Sequence, residues 1–121
     1  MEENTIQQKS YCFAVRMVNL YRHLTDRKQE FVLAKQLLRS GTSIGANVEE
    51  ALAAQSRNDF TAKLSIARKE ARETRYWLRL LHDTSYLSDK EAQSVLSDVE
   101  ELLKLLTSII LSVQRHPKPG S

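Results

Sequence analysis

Hydrophobic residues recur at three- and four-residue intervals along four segments of the chain, and short polar stretches separate these segments. This spacing places apolar side chains along one face of an α-helix, so the pattern predicts four amphipathic helices. In the third segment the steps alternate between four and three, which is the heptad spacing of helices packed side by side. The positions in that stripe are Phe60, Leu64, Ala67, Ala71, Thr74, Leu78 and Leu81.

Capping residues predict where the helices begin. Gln29 stands three residues after Asp26, as in a capping box, which predicts the start of the second helix at Asp26. Ser88 and Glu91 have the same spacing and predict the start of the fourth helix. The four helices are thus expected to begin near Thr5, Asp26, Asn58 and Ser88.

Residues that interrupt helices are rare in this chain. It contains three glycines and two prolines, and both prolines lie in the final five residues. Long helices joined by short connections pack most simply as an antiparallel up-down-up-down four-helix bundle. We therefore predict an all-α fold with a single bundle domain over residues 1–116 and a disordered tail over 117–121.

The stretch RSGTSIGAN, residues 39–47, has two interpretations. It resembles a glycine-rich ligand loop, but it lacks the lysine and hydroxyl of a phosphate-binding loop and the preceding strand. Gly41 and Gly45 instead continue the helical period of the second segment. Because an internal glycine costs a helix about 1 kcal/mol relative to alanine, their presence indicates a close approach of another backbone. We assign both glycines to helix packing.

The chain contains little candidate chemistry. Carboxylate-bridged metal sites in helical bundles use a Glu three residues before a His, but the positions three residues before the histidines hold Leu20, Arg79 and Val113. No nucleophile, base and orienting group form a local signature of covalent catalysis. We expect no catalytic residue, no metal site and no cofactor, and a protein that is not an enzyme.

Cysteine content and hydropathy predict the compartment. Cys12 is the single cysteine, which excludes an internal disulfide framework and is consistent with a reducing compartment. The first ten residues lack the basic and apolar regions of a secretory signal. No apolar run approaches the ~18 residues that a membrane helix needs. We expect a cytoplasmic protein that does not associate with membranes.

The formal net charge is only +3, but it is unevenly distributed. Residues 57–82 carry seven basic and three acidic side chains, whereas residues 83–104 carry two basic and six acidic ones. Four arginines share one stripe of the third helix and form a candidate nucleic-acid-binding row, since such a row can contact successive phosphates. Ion pairing with nearby carboxylates is the alternative, and both remain open. The four residues are Arg68, Arg72, Arg75 and Arg79.

A second stripe on the third helix mixes large apolar residues with carboxylates and suggests a contact between subunits. Apolar residues also fill eight of the twelve positions from 102 to 113, which is wider than one buried face requires. Exposed apolar patches of this kind usually mark interfaces. We therefore predict a homo-oligomer, with an interface that includes Ile66, Glu70, Glu73, Trp77, Leu103 and Ile110.

Residues 37–81 contain three sequence motifs that occur together and in order: RSGTSIGANVEEA, DF..KL.IA.KEA.ET and YWL.LL. In these motifs the chain resembles the bacterial 23S ribosomal RNA intervening-sequence proteins, often labelled S23. The resemblance implies an antiparallel four-helix bundle, a ring-shaped homopentamer and a genomic association with insertions in ribosomal RNA genes. Related bundles are accessory proteins of retroelements, in which a basic pentamer contacts reverse transcriptase and nucleic acid.

The motif residues suggest further roles. Asn47, which we assign to helix packing, and the carboxylates Glu50, Glu70 and Glu73 are interpreted as groups that pair within or between subunits, because buried carboxylates need partners. Arg72 and Arg75 are the candidate partners. The leading hypothesis is a non-enzymatic oligomeric scaffold that binds structured RNA or a reverse transcriptase-like protein through its arginines. The alternative is a purely protein-binding assembly module whose arginines form intersubunit ion pairs.

Overall fold

The computed structural model describes residues 4–115, and these form four helices joined by short connections. The predicted all-α fold is confirmed. The predicted disordered tail over 117–121 lies outside the described residues. In chain order, the helices are α1 (Thr5–Asp26), α2 (Val32–Leu52), α3 (Arg57–Asp83) and α4 (Asp89–Arg115).

Contacts between neighbouring helices show that they run antiparallel. Along each pair, residue numbers rise on one helix as they fall on the other, which gives the up-down-up-down arrangement. The pairs are Ser10 with Gly45 and Met17 with Gly41 between α1 and α2, Arg57 with Val113 and Arg75 with Glu100 between α3 and α4, and Lys9 with Glu101 and Arg16 with Asp98 between α1 and α4.

The core lies along the axis of the bundle. The heptad stripe predicted for the third helix is buried from Leu64 to Leu81, while Phe60 at its start is partly exposed. A hydrogen bond also lies inside the core, where the hydroxyl groups of Thr74 on α3 and Ser40 on α2 are 3.0 Å apart. Each hydroxyl also lies within hydrogen-bond distance of a carbonyl of its own helix, that of Glu70 at 2.8 Å and that of Leu37 at 3.4 Å, so neither depends on this contact for a partner.

The second helix begins later than predicted. Asp26 is the last residue of α1, and α2 starts at Val32. Gln29 adopts a positive φ of 57° and its side-chain amide donates to the carbonyl of Asp26 at 3.1 Å, so it caps the end of α1. The carboxylate of Glu30 accepts from the backbone N–H of Ala34 at 2.8 Å and caps α2 instead. The predicted capping box at Asp26 is therefore wrong. The three-residue spacing from Asp26 to Gln29 belongs to a cap at the end of α1, not to the start of α2.

The last two helices begin within one residue of their predicted starts. Ser56 Oγ accepts from the backbone N–H of Asp59 at 3.0 Å, and α3 begins at Arg57. Ser88 and Glu91 form a reciprocal capping box, with bonds of 3.0 and 3.1 Å. The backbone N–H and the hydroxyl of Ser88 lower the pKa of Glu91. The carboxylate at this cap therefore stays ionised to a lower pH than an ordinary glutamate does.

Gly41 and Gly45 lie inside α2 at its contact with α1, so the helix interpretation of residues 39–47 is confirmed. A Cβ at position 41 would stand 2.4 Å from Cγ of Met17, and one at position 45 would stand 3.2 Å from the carbonyl oxygen of Ser10. Both distances are shorter than an ordinary contact between carbon and these atoms. The two helices approach this closely because the glycines carry no side chain.

Gly41→Ala should lower the free energy of unfolding by about 1–2 kcal/mol, because displacing buried Met17 outweighs the gain in helix propensity. Urea denaturation measures this change. Ala46→Gly, at an exposed position of the same helix, calibrates the propensity term.

A double-mutant cycle separates the steric clash from other effects. Met17→Ala should destabilise the Gly41→Ala background less than it destabilises the unmodified chain, because it removes the atoms that the new methyl group meets. Strict additivity in this cycle, or a more stable Gly41→Ala variant, would contradict the close-contact account.

Candidate interaction surfaces on the third helix

One flank of α3 carries the arginine row, which the structure divides into two groups. Arg75 forms an ion pair with Glu100 of α4 at 3.2 Å. Arg72 and Arg79 are exposed, and Arg68 is partly exposed. Within residues 4–115, these three arginines have no hydrogen bond or ion pair. Three of the four predicted nucleic-acid-binding residues are therefore available to a ligand.

The opposite flank carries two of the three carboxylates predicted to need partners, and Arg39 of α2 pairs with both. Its guanidinium contacts Glu70 at 3.2 Å and also pairs with Glu73. Glu73 in addition accepts a 2.9 Å hydrogen bond from the indole N–H of Trp77. Within the chain neither Arg72 nor Arg75 pairs with these carboxylates, because α3 turns its arginines to the other flank. Pairing between subunits stays a prediction. Arg39 was not identified from the sequence.

One guanidinium serves two carboxylates in this cluster, which therefore retains an excess negative charge. Glu70 is the more buried of the two, with 12% of its side chain exposed. Ile66, one turn before Glu70, is 41% exposed, and Trp77 is partly buried against the core. This flank thus combines an apolar edge with an acidic centre, which we call the acidic flank: Ile66, Glu70, Glu73 and Trp77.

The two α4 residues predicted at an oligomer interface lie in the core of the single chain. Leu103 is 8% exposed and Ile110 is 1% exposed, so the prediction for these side chains is wrong. The physical reason is that α4 packs against both α3 and α1, which requires a wider apolar stripe than one contact does. The excess apolar positions on α4 mostly reflect this second contact.

Asn47 bonds within its own helix. Its side-chain amide donates to the carbonyl of Ser43 at 2.8 Å, and both residues belong to α2. This bond agrees with the interpretation that Asn47 pairs within a subunit, and its assignment to helix packing stays a prediction. The positions where α2 approaches α1 most closely are the two glycines.

The outward face of α3 carries an aromatic side chain that the sequence analysis did not assign to a surface. Tyr76 is 55% exposed and lies four residues after Arg72 and three residues before Arg79. Its ring packs edge to face against Trp77, with ring centroids 5.0 Å apart and an interplanar angle of 72°. The sequence did contain a signal for this surface position of Tyr76. Residues three and four apart are neighbours on a helix surface, and Tyr76 has these spacings to Arg79 and Arg72.

A cleft of about 510 Å³ lies between α1 and α4. Two ion pairs cross it, Lys9 with Glu101 at 3.1 Å and Arg16 with Asp98 at 2.5 Å. Each cation in the cleft therefore already has a partner. Residues 4–115 contain no group of three or more His, Cys, Asp and Glu side chains placed to hold a metal ion.

None of the helices in the described part of the chain combines the length and apolar character that crossing a bilayer requires.

Comparisons with known proteins agree with the motifs at residues 37–81. The profile of the family described as 23S rRNA-intervening sequence protein matches residues 2–108. Among proteins with curated descriptions, none matches the chain. A crystal structure of a protein with unknown function from the S23 ribosomal protein family of Bacteroides thetaiotaomicron VPI-5482 is 56% identical and superposes with a TM-score of 0.87. That match covers 88% of this chain and 98% of the other. The chain therefore belongs to the 23S rRNA-intervening sequence protein family.

Proposed function

We propose that this protein is a non-enzymatic, oligomeric scaffold that binds RNA through the free arginines of α3. The observation that carries this proposal is that Arg68, Arg72 and Arg79 lie on one helix flank without partners in the described chain. Because the family description refers to 23S rRNA, we propose RNA rather than DNA as the nucleic acid. We place this activity in the cytoplasm, where the unpaired Cys12 stays reduced.

The dimensions of the row suit a phosphate backbone. Arg68 and Arg79 are eleven residues apart, which corresponds to ~16 Å along a helix. A guanidinium binds a phosphate with two parallel hydrogen bonds, so each arginine can hold one phosphate firmly. Three such contacts release counterions and make the affinity depend on salt. The row reads no sequence by itself, since phosphate contacts position a nucleic acid without specifying its bases.

The triple substitution Arg68→Ala, Arg72→Ala and Arg79→Ala should remove most of the RNA affinity. The slope of log affinity against log salt concentration should become shallower by about 2–3, because each lost phosphate contact contributes ~0.7–0.9. Fluorescence anisotropy titrations at several salt concentrations measure both quantities.

A matched control removes the same charge from another surface: Arg22→Ala, Arg27→Ala and Lys28→Ala, which are all exposed at the end of α1. This control should keep the slope nearly unchanged. Equal losses in the two triple variants would show a general effect of net charge, and the proposal would then fail.

Glu100→Gln should strengthen RNA binding, because it releases Arg75 from its ion pair and adds a fourth cation to the row. The salt slope should become steeper by about 0.7–0.9. Glu101→Gln is the matched control, since it removes the same charge one residue later, where the carboxylate pairs with Lys9 across the cleft. An identical response of the two variants would mean that Arg75 does not join the row.

The acidic flank is the proposed contact between subunits. It offers exposed Ile66 beside a cluster with an excess negative charge, and this combination fits a partner surface that contributes an apolar residue and a cation. The resemblance to ring-forming relatives implies a homopentamer. Since the acidic flank and the arginine row lie on opposite sides of α3, assembly and RNA binding do not compete for the same side chains.

The protein should have a solution mass several times the 13.9 kDa of one chain. Ile66→Asp should raise the dissociation constant of the oligomer at least ~10-fold, because it places a third carboxylate beside an interface that is already acidic. Sedimentation analysis measures both values. Leu111→Asp is the matched control, since Leu111 is also 41% exposed but lies on α4. A monomer at micromolar concentration, or equal weakening by both variants, would contradict this assignment.

The second candidate function is a purely protein-binding assembly module. The Arg75–Glu100 pair favours it, since it shows that arginines of this row do form ion pairs with carboxylates of the bundle. In that case the free arginines would pair with carboxylates of a neighbouring subunit. The arginine triple variant would then dissociate the oligomer, and the unmodified protein would bind no RNA at low salt.

A further inference from the structure

We infer that the RNA segment bound by this protein contains an unpaired nucleotide whose base stacks on the ring of Tyr76. The inference rests on the proposed function and deepens it, because it distinguishes an unpaired segment from a continuous duplex. The juxtaposition that carries it is an exposed aromatic ring set between two free arginines on the outward face of α3.

The position of Tyr76 relative to the arginines is suited to one nucleotide. Arg72 lies one turn before Tyr76 and Arg79 one turn after it, and neighbours at these spacings are ~5–6 Å apart on a helix surface. A strand whose phosphates contact the two arginines therefore passes the ring between them. Exposed Lys69, two turns before Tyr76, extends the positive surface along the same face.

A chain of contacts connects the ring of Tyr76 to the bundle. Tyr76 packs edge to face against Trp77, the indole of Trp77 donates to Glu73, and Glu73 pairs with Arg39 of α2. An edge-to-face pair covers at most one face of a ring and leaves the other face open. More than half of Tyr76 is exposed, so a face is available for stacking.

The chemistry favours an unpaired base over a duplex. In an A-form helix the bases are stacked on one another, so an aromatic side chain on a convex helix cannot reach a base face. Loops, bulges and single strands expose bases that stack on aromatic side chains, and neighbouring cations hold their phosphates. An arginine row alone would not discriminate between these forms. Tyr76 adds the discrimination.

Anisotropy titrations of the full chain test this inference with two labelled probes of equal length: an unstructured single-stranded oligouridylate and a fully paired RNA duplex. Tyr76→Ala should weaken binding of the single strand by about 5- to 100-fold, since stacking contributes that much per base. Its salt slope should be unchanged, because no charge is removed. Duplex binding should change less than twofold. Tyr76→Phe, which keeps the ring, should bind as the unmodified protein does.

Tyr11→Ala is the matched control, since Tyr11 is 68% exposed but lies on α1. It should leave binding of both probes unchanged. A fluorescent adenine analogue placed within the single strand gives a second measurement, because its emission is quenched when the base stacks. The quenching should disappear in Tyr76→Ala at saturating protein.

Each contrary outcome is distinguishable. If Tyr76→Ala binds the single strand as tightly as the unmodified protein, or loses affinity for both probes equally, base stacking on Tyr76 is refuted. The proposal that the arginines bind RNA is unaffected by that result, because the arginine variants test it separately. If the unmodified protein binds neither probe at low salt, both proposals fail. If Tyr76→Ala lowers the solution mass and leaves RNA binding unchanged, Tyr76 belongs to a protein interface and the inference is overturned.

Discussion

The close contact between α1 and α2 is the constraint on which the arrangement of this bundle depends. Gly41 and Gly45 remove two side chains from α2, and Met17 and the backbone at Ser10 occupy the space. With α1 fixed on one side, α2 presents Ser40 and Arg39 to α3 on the other. The stripe of α3 that faces the core from Leu64 to Leu81 then sets the rotation of α3 about its axis.

The rotation of α3 decides how its charged residues are used. It turns Glu70 and Glu73 toward Arg39 and turns Arg75 toward Glu100. Arg68, Arg72 and Arg79 form no ion pair within residues 4–115. Tyr76 lies between the last two of them along the helix, on its outward face. The proposed RNA surface and the proposed subunit contact thus both depend on the rotation of α3 about its axis. A change at the α1–α2 contact would be expected to affect both surfaces, although neither contains a residue of α1.

Periodicity and capping chemistry in the sequence predicted most of the fold because both are local properties. The heptad stripe of α3, the Ser88–Glu91 cap and the helical course of residues 39–47 all depend on residues a few positions apart. The start of α2 was mispredicted because an amide at Gln29 can cap either the end of one helix or the start of the next. Only the backbone conformation distinguishes these alternatives.

The site was predicted less completely because it depends on contacts between distant segments. The spacing of the arginines identified the row, but which arginine is neutralised depends on Glu100, twenty-five residues after Arg75. Arg39 precedes its partner carboxylates by thirty-one and thirty-four residues, and nothing in the local pattern connects them. Leu103 and Ile110 were misassigned for the same reason, since the breadth of an apolar stripe does not show how many helices cover it.

The most direct test of the account is photo-crosslinking of the full chain to a single-stranded RNA that contains thiolated uridine, followed by mass spectrometry of the tryptic peptides. Cleavage after Arg75 and Arg79 isolates Tyr76 to Arg79 in one short peptide. The account predicts that this peptide carries the main crosslink and that excess unlabelled single strand removes it. A main crosslink on α1 or α4 at the cleft between them, with the α3 peptide unmodified, would contradict it.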